Sequence, residues 1–203
     1  MTTSNIPPGL QGNFTNYTSG GSDGDWLSYK KTKFYTNAFI IQNGKILLGY
    51  KKRGFGKHKY NGFGGKVEGN ETPLQAAVRE LEEEAGIQAP LEYAGTLLFY
   101  TQGSEFAFHI DIYRAEAFSG TITETEEMRP QWFSLPADDN SLGQEGATHI
   151  SPIPFADMWD TDPYWIPHLV SKRTFVGRAD FTIDGEIYKP YKWWFGEPTG
   201  MEI

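Results

Sequence analysis

The strongest helix prediction in this 203-residue chain, from Thr72 to Ala85, constrains the fold more than any other feature. Thr72 is a candidate N-cap, and Gln75, three residues later, completes a capping box with it. Pro73 occupies the first helical position, where its missing N–H is not needed, and Gly86 supplies the stop. We therefore expect a helix whose two ends are both determined by local sequence.

The predicted helix has two different sides. Glu80, Glu83 and Glu84 fall within an arc roughly 100° wide, whereas Glu82 lies outside it. One interpretation is a solvated acidic surface, with Arg79 paired to Glu83 at an i,i+4 spacing. The other is a site for a divalent cation, because carboxylates clustered on a rigid helix suit Mg²⁺. The apolar side, which we expect to face the core, carries Leu74, Ala77, Val78, Leu81 and Ala85.

A glycine-rich run, Gly62-Phe63-Gly64-Gly65-Lys66, lies just before this helix. Glycines allow the backbone to approach a phosphate closely, and the Lys66 ammonium could pair with the phosphate charge. An ordinary tight turn is the alternative interpretation of such a run.

The remaining predicted elements indicate one α+β domain over residues 33–203, a mixed β-sheet with α-helices packed on its faces. Residues 1–32, rich in Ser, Gly, Thr, Asn and Pro, are expected to form a flexible tail or a strap over the domain surface. Residues 136–151 are expected to form a surface loop. Strands are predicted at Phe34–Ile41, Lys45–Lys51, Asn61–Val67, Leu91–Thr101, Phe106–Ala117 and Arg129–Leu135. Hairpin turns are predicted at Asn43-Gly44 and Asp184-Gly185. A second helix is predicted to start at Pro163 or Pro167 and to end near Val170.

Charge and composition exclude several classes of protein. A formal net charge of −8 argues against binding to a nucleic-acid duplex, which requires a basic surface. The absence of cysteine rules out disulfides and zinc–thiolate sites. No apolar run approaches the roughly 20 residues of a membrane span, and no signal or transit peptide is recognisable. We therefore expect a soluble monomer in the cytoplasm, without a membrane partner, and leave a nuclear or mitochondrial fraction open.

From Gly65 to Ile87 the chain reads GKVEGNETPLQAAVRELEEEAGI, which resembles the signature of the Nudix hydrolases at every defined position. The resemblance implies attack of water on a phosphorus of a substituted diphosphate, assisted by a metal ion. Arg79 would orient the carboxylates, Glu71 would assist near the loop, and Glu84 would be coupled most closely to the attacking water. The implied site for Mg²⁺, or for Mn²⁺ in its place, consists of Gly64, Glu80, Glu83, Glu84 and Glu127, although Glu127 is equally well interpreted as a surface charge at a strand end.

Most of the chain between Thr36 and Arg178 is similar to one Nudix subfamily, the animal MutT-like oxidised purine nucleoside triphosphatases. The segments that carry the likeness are Lys51–Gly56, Tyr60–Lys66, Glu127–Phe133 and Pro154–Trp159, continued by Tyr164-Trp165 and Phe175. The resemblance implies that the purine stacks near Phe55 and Trp159 and that Asn61 hydrogen-bonds its edge. The other implied substrate-binding residues are Thr36, Lys51, Gly64, Gly65, Lys66, Phe99, Met128, Met158, Thr161 and Asp162. Without the resemblance, the methionine and aromatic residues would be interpreted as ordinary core and Asn61 as a turn residue.

One departure from the subfamily concerns base recognition. The subfamily has Trp-Pro-Asp-Asp where this chain has Trp159-Asp160-Thr161-Asp162. Two adjacent carboxyls can share a proton and act as donor or acceptor, whereas the Thr161 hydroxyl does not titrate. Asp162 could instead cap the helix at Pro163. We therefore expect a shifted or narrower base preference among oxidised purine nucleoside triphosphates.

Other functions are open at this point. The Nudix signature also fits ADP-ribose, dinucleoside polyphosphates and diphosphoinositol phosphates, the last of which require a strongly basic pocket. A Nudix-fold binding module without catalysis is disfavoured, because every carboxylate position of the signature is intact. The expected partner is a small nucleoside triphosphate such as 8-oxo-dGTP or 2-hydroxy-dATP, cleaved to the monophosphate and pyrophosphate.

Overall fold

The computed structural model describes residues 6–136, 150–185 and 187–199. In chain order the elements are β1 (Phe14–Gly21), β2 (Lys31–Gln42), β3 (Lys45–Lys51), β4 (Tyr60–Asn61), α1 (Pro73–Ala85), β5 (Ile87–Gln88), β6 (Glu92–Thr101), β7 (Phe106–Ala115), β8 (Ser119–Gly120), β9 (Met128–Ser134), α2 (Asp162–Val170), β10 (Phe175–Asp184) and β11 (Ile187–Pro198), with a short 3-10 helix at Phe155–Asp157. In these ranges, nine strands form one sheet in the order β1-β11-β10-β6-β7-β2-β3-β4, with β9 paired to β3, and β5 pairs with β8.

The sheet is mixed, and the two helices lie on its opposite faces. β2 pairs with β7 in parallel and β6 with β10 in parallel, whereas the other pairs are antiparallel. On one face, Ala77 of α1 packs against Ala38 of β2. On the other face, Trp165 of α2 contacts Phe39 edge-on at 5.6 Å and stacks on Phe175 at 5.4 Å. This arrangement confirms the α+β class.

Local signals set the bounds of several elements as predicted, but the strand predicted at Asn61–Val67 is wrong, because only Tyr60–Asn61 forms a strand and the glycines after it leave isolated bridges. Thr72 caps α1 and forms the capping box with Gln75, and Gly86 ends the helix with a φ of 71°. Asn43 and Gly44 turn the β2–β3 hairpin with φ values of 53° and 69°. α2 begins at Asp162, so its start agrees with the earlier of the two alternatives.

The N-terminal segment is corrected by the structure. The prediction of a separate flexible tail over residues 1–32 does not describe residues 6–32, because β1 pairs with β11 and extends the main sheet. The strand reads FTNYTSGG, in which an asparagine, a serine and two glycines weaken the local preference for a strand. The alternative of a strap over the domain surface describes its position.

A buried arginine fixes this strap to the sheet. The Arg178 guanidinium donates to the carbonyls of Pro8 and Leu27 at 2.7 and 2.6 Å and pairs with Asp180 at 2.8 Å. Asp180 in turn accepts from the Leu27 backbone N–H at 2.8 Å. Because an unpaired buried charge is costly, these contacts fix the strap to the buried Arg178–Asp180 pair, while most of the strap itself is exposed or half-buried.

The glycine-rich run lies between two strands that separate at one end. Asn61 pairs with Gly49 of β3, while Phe63 forms a bridge to Ala38 of β2. The backbone N–H of Thr36 donates to the Gly65 carbonyl at 2.9 Å, which holds the run against β2 as far as the start of the loop before α1. This splay of β2 and β3 places the run beside the helix that carries the carboxylates.

Two further predictions concern the loop at residues 136–151 and the absence of a membrane span. Most of the loop predicted over residues 136–151 lies outside the described residues. In the parts of the chain that the structure describes, no helix has the length and apolar character that crossing a membrane requires.

Candidate active site

A cavity of about 550 Å³ opens between the glycine-rich run, α1 and the ends of β2, β6 and β7. One end of it is lined by Glu80, Glu83, Glu84 and Glu127 together with Lys51. The other end is lined by aromatic side chains, with Phe55 and Trp159 among them. A depression of about 580 Å³ on the outer side of α1 is more open and is lined by residues such as Leu74 and Glu82, so it contains only one edge of the carboxylate cluster.

Arg79 organises the carboxylate end. Its guanidinium donates to Glu71 at 2.6 and 3.1 Å, to Glu80 at 2.8 Å and to Glu83 at 3.2 Å. It also donates to the carbonyl of Lys66 at 3.2 Å, which ties the helix to the preceding loop. Three carboxylates that would repel one another are thus held in place by one planar cation.

Glu84 is the most buried of the cavity carboxylates, with 5% of its surface exposed. Its Oε2 accepts from the Gly64 backbone N–H at 2.8 Å, and its Oε1 lies 3.5 Å from Lys51 Nζ. Burial outweighs both of these interactions and raises the pKa of Glu84 to about 7. Burial also raises the pKa of Glu80, despite its pairing with Arg79. Glu84 can therefore gain or lose a proton near neutral pH.

Glu127 faces the same cavity from the opposite side. Its carboxylate accepts from Lys51 at 2.9 Å and pairs with Arg53 at 3.0 Å. Burial alone would raise the pKa of Glu127, but the hydrogen bond to Lys51 and the positive charges of both partners lower it overall. Of the two interpretations, the structure supports a cavity carboxylate over a strand-end surface charge.

The oxygen donors at this end suit a divalent cation. In the described residues no three acidic or histidine side chains are close enough together to hold a metal ion as they stand. Lys51 Nζ lies 2.9 Å from Glu127 and 3.5 Å from Glu84, so an ammonium group already bridges the two sides. Carboxylate and backbone oxygens are the ligands that hard divalent cations prefer. The set Gly64, Glu80, Glu83, Glu84 and Glu127 therefore fits a metal if Lys51 and the exposed Glu83 change partners.

Two positions at the carboxylate end must be glycine, because neighbouring parts of the chain approach them too closely for a side chain. A Cβ at Gly64 would collide with the carbonyl oxygen of Thr36, and one at Gly65 would collide with the Glu80 carboxylate. Neither residue has a positive φ, so close approach and not backbone conformation explains the glycines.

Aromatic side chains form the other end of the cavity. The Phe55 ring stacks on Trp159 at 5.2 Å and on Phe108 at 5.2 Å, and Phe99 lies 6.3 Å from Trp159. Phe55 is 46% exposed although its neighbours are buried or half-buried, so part of its ring faces solvent at the cavity mouth. Met128 is buried and also lines the cavity. Flat apolar faces of this kind suit a purine.

Two asparagines supply polar groups between the two ends. Asn61 Oδ1 accepts from the Gly62 backbone N–H at 2.9 Å and from Asn37 Nδ2 at 2.7 Å. Thr36 lines the cavity, and its buried hydroxyl has no hydrogen-bond partner in the described part of the chain. Buried polar atoms without partners are uncommon, so these groups mark a place where a ligand could bond.

Four predicted substrate-binding residues do not line the cavity. Lys66 projects towards Glu68, with 3.7 Å between the charged atoms, and is half exposed. The other three, Met158, Thr161 and Asp162, are fully buried behind Trp159. Asp162 accepts from the Trp159 backbone N–H and from Trp165 Nε1, both at 3.1 Å, and burial raises its pKa to about 7. Its carboxyl therefore supports the Trp159 platform from behind.

Several lining residues were missed by the sequence analysis. Lys59 donates to the Met158 carbonyl at 2.7 Å and lies 5.3 Å from the Trp159 ring centre. Phe108 belongs to β7, and Tyr35 and Asn37 belong to β2, so their approach to Trp159 depends on strand pairing. Asn37 did carry a signal, because it is a polar residue directly before the apolar run Ala38–Ile41 in the strand predicted at Phe34–Ile41.

Comparison with known proteins gives a consistent result. Residues 33–147 match the family model described as the NUDIX domain. The chain is 42% identical over 151 residues to the oxidized purine nucleoside triphosphate hydrolase of Mus musculus, covering 74% of this chain and 87% of that protein. It is 40% identical, with the same coverage, to the protein of the same name from Danio rerio. A solved structure of a MutT protein from Bacillus halodurans has a TM-score of 0.62 at 19% identity, covers 80% of this chain and 97% of its own, and shares the fold.

Proposed function

We propose that this chain, which belongs to the Nudix family of hydrolases, cleaves oxidised purine nucleoside triphosphates to the monophosphate and pyrophosphate. The observation that carries the proposal is the continuity of the cavity, which joins the carboxylates of α1 to the stacked pair Phe55 and Trp159. A triphosphate at one end and a purine at the other would match these two surfaces. The proteins to which the chain is 40–42% identical bear the name of that activity.

At the carboxylate end, the residues of the chain would position the triphosphate and the attacking water. Lys51 offers a positive charge to the phosphates, and the Gly64–Gly65 backbone allows their close approach. Glu84, whose pKa burial raises to about 7, is placed to accept the proton that water loses as its oxygen bonds to phosphorus and pyrophosphate departs. Arg79 acts on the reaction indirectly, by holding Glu80 and Glu83.

The resident metal is the second part of the proposal. Members of the family act with a divalent cation, and we propose Mg²⁺ here, with Mn²⁺ able to substitute. When bound among Glu80, Glu83, Glu84, Glu127 and Gly64, it supplies positive charge against the phosphate oxygens and favours deprotonation of the attacking water. We also propose that the protein acts as a monomer in the cytoplasm, which light scattering and microscopy of a tagged protein would test.

At the aromatic end, the purine would stack on Phe55 and face Asn61, whose Nδ2 can donate to the base edge. Thr161 and Asp162 are buried behind Trp159, so in this arrangement they shape the platform and do not touch the base. A base preference that differs from that of the subfamily stays a prediction.

A pyrophosphate-release assay tests the proposal. With Mg²⁺ present, 8-oxo-dGTP, 2-hydroxy-dATP and dGTP would be offered at equal concentrations, and the cleavage of ADP-ribose would be followed separately. We expect kcat/KM for one of the oxidised purines to exceed that for dGTP by at least about tenfold, on the scale of one well-placed hydrogen bond or stacking contact. Preference for ADP-ribose, or equal turnover of dGTP, would reject the proposed substrate class and leave the Nudix assignment intact.

A further inference from the structure

Asn37 is a buried polar residue in a central strand of the sheet. It is 8% exposed, and the four residues that follow it in β2 are apolar and buried. Its side-chain oxygen Oδ1 is buried and has no hydrogen-bond partner among the residues that the structure describes. Leaving a buried acceptor unpaired is costly, so such an atom calls for an explanation.

The orientation of this side-chain amide follows from its neighbours. The Gly62 backbone N–H can only donate, so the Asn61 atom 2.9 Å away must be the amide oxygen. Asn37 approaches the same oxygen at 2.7 Å and must therefore present its Nδ2 to it. The unpaired atom of Asn37 is then its oxygen. Gly62 leaves the space this oxygen occupies, because a Cβ there would collide with Asn37 Oδ1.

The Asn37 side chain lies on the face of the sheet that carries the aromatic end of the cavity. Side chains alternate between the two faces of a strand, so Asn37 shares a face with Phe39 and not with Ala38. Phe39 belongs to the core cluster that contains Phe99, Trp159 and Trp165, whereas Ala38 packs against Ala77 of α1. Asn37 also lines the cavity that contains Phe55 and Trp159. The Asn37 side chain thus borders the aromatic end of the cavity, and a small shift of the groups that cover its buried oxygen would bring that oxygen within reach of a base.

We propose that Asn37 is a specificity-determining residue, whose Oδ1 accepts a hydrogen bond from the N–H that oxidation adds to a purine. This inference rests on the proposed function. An 8-oxopurine in its keto form carries a hydrogen on N7, where the unmodified purine has a lone pair. Asn37 Oδ1 attracts the first and repels the second, because an amide oxygen only accepts. The Asn37–Asn61 hydrogen bond fixes this polarity, since turning the amide over would place two oxygens against each other.

The pairing of Asn37 with Asn61 explains why the proposed acceptor for the base is an uncharged amide. Asn61 Oδ1 is already occupied by two donors, which leaves its Nδ2 to donate. Asn37 therefore adds the acceptor that Asn61 lacks, and together they match a base edge that has a donor next to an acceptor. A carboxylate here would add a negative charge to a cavity that already contains four glutamates and must admit a triphosphate.

The test compares 8-oxo-dGTP with dGTP in wild type and in Asn37→Leu, which has a similar size and no acceptor. In Asn37→Leu we expect kcat/KM for 8-oxo-dGTP to fall about tenfold, mainly through a higher KM, while kcat/KM for dGTP stays the same or rises. The ratio of kcat/KM for 8-oxo-dGTP to kcat/KM for dGTP should therefore fall about tenfold or more. Asn37→Ser, whose hydroxyl is too short to take the place of the amide oxygen at the base, should show the same fall in the ratio if the leucine variant fails to fold. Thr101→Val removes a buried polar group outside the cavity and should leave the ratio unchanged.

The outcomes separate the inference from the function on which it rests. An equal loss of kcat/KM for both nucleotides would mean that Asn37 only positions Asn61. Unchanged kcat/KM values for both nucleotides would mean that Asn37 does not touch the base. Either result overturns the inference while the wild-type preference for 8-oxo-dGTP stands. Absence of that preference in the wild type would overturn the proposed function and the inference together.

Discussion

The two ends of the cavity are built in opposite ways. The carboxylate end comes almost entirely from one continuous stretch, residues 62–84, in which the glycine-rich run and α1 follow each other directly. The aromatic end draws on β2, the loop at Phe55, β6, β7 and Trp159, segments spread over more than a hundred residues. One end depends on charges held at short distances, and the other on stacked apolar faces.

This difference indicates that chemistry and substrate choice can be altered separately. Charges in a partly buried cluster act strongly on one another, so one neutralised carboxylate disturbs its whole group. A stacked platform loses contact area in proportion to what is removed, and its effects are graded. We therefore expect large losses in kcat at the carboxylate end and moderate losses in KM at the aromatic end.

The largest effect is expected for Glu84→Gln, which keeps the shape of the side chain and removes its charge. Because Glu84 is buried in the cavity and would accept the proton from water, kcat should fall about 10²–10⁴-fold with little change in KM. The measurement is pyrophosphate release at saturating 8-oxo-dGTP. Glu82→Gln changes the same helix outside the cavity and should retain full activity; equal losses in the two variants would remove the distinction between the sides of α1.

The second effect concerns Phe55→Ala at the aromatic end. Loss of the stacking ring should lower kcat/KM for 8-oxo-dGTP by about 5–150-fold, mostly through KM, if stacking contributes about 1–3 kcal/mol. Phe34→Ala is a matched control, since Phe34 is similarly exposed and lies outside the cavity. A fall confined to kcat would contradict the separation of the two ends.

The third effect is a pH dependence of the free energy of unfolding, caused by the buried Asp162 carboxyl. Burial raises the pKa of Asp162 from 3.8 to about 7, so the folded protein binds more protons than the unfolded chain between these values. The contribution of Asp162 to the free energy of unfolding therefore falls as pH rises from about 4 to 7. Urea denaturation without metal should show wild type losing at least ~1 kcal/mol relative to Asp162→Asn over this interval. Parallel pH curves for the two proteins would contradict it.

The smallest effect is expected for the N-cap of α1. Thr72→Ala removes the acceptor for the Gln75 backbone N–H and should lower the free energy of unfolding by about 1 kcal/mol. Because the cap lies outside the cavity, kcat/KM at 25 °C should be unchanged. Thr72→Ser retains the hydroxyl and should retain the stability; a similar loss in both variants would show that the cap is not responsible.

Much of the carboxylate end was predictable from sequence. Helical spacing alone places Glu80, Glu83 and Glu84 on one side and Glu82 on another, and the cap residues at Thr72 and Gly86 set the ends of the helix. These predictions succeed because hydrogen bonds within one or two turns decide them. The carboxylate partners of Arg79 are also close in sequence, at most eight residues away.

The aromatic end was only partly predictable. Resemblance to relatives pointed to Phe55, Asn61, Phe99 and Trp159, all of which line the cavity. It also pointed to Thr161 and Asp162, which the packing of α2 buries behind Trp159. Asn37 carried only the signal of a polar residue before an apolar run, and Lys59 and Phe108 carried none. Their places in the cavity follow from the parallel pairing of β2 with β7 and from the hydrogen bond of Lys59 to the Met158 carbonyl.

The sequence by itself determined α1, its caps, its acidic side and the hairpin at Asn43-Gly44, because backbone geometry and nearest-neighbour hydrogen bonds settle such features. Only the tertiary structure decided that the N-terminal strand joins the sheet, that Lys51 bridges Glu84 and Glu127, and which side of the base Asn37 can reach. These features depend on contacts between distant parts of the chain, where burial and pairing outweigh local preference.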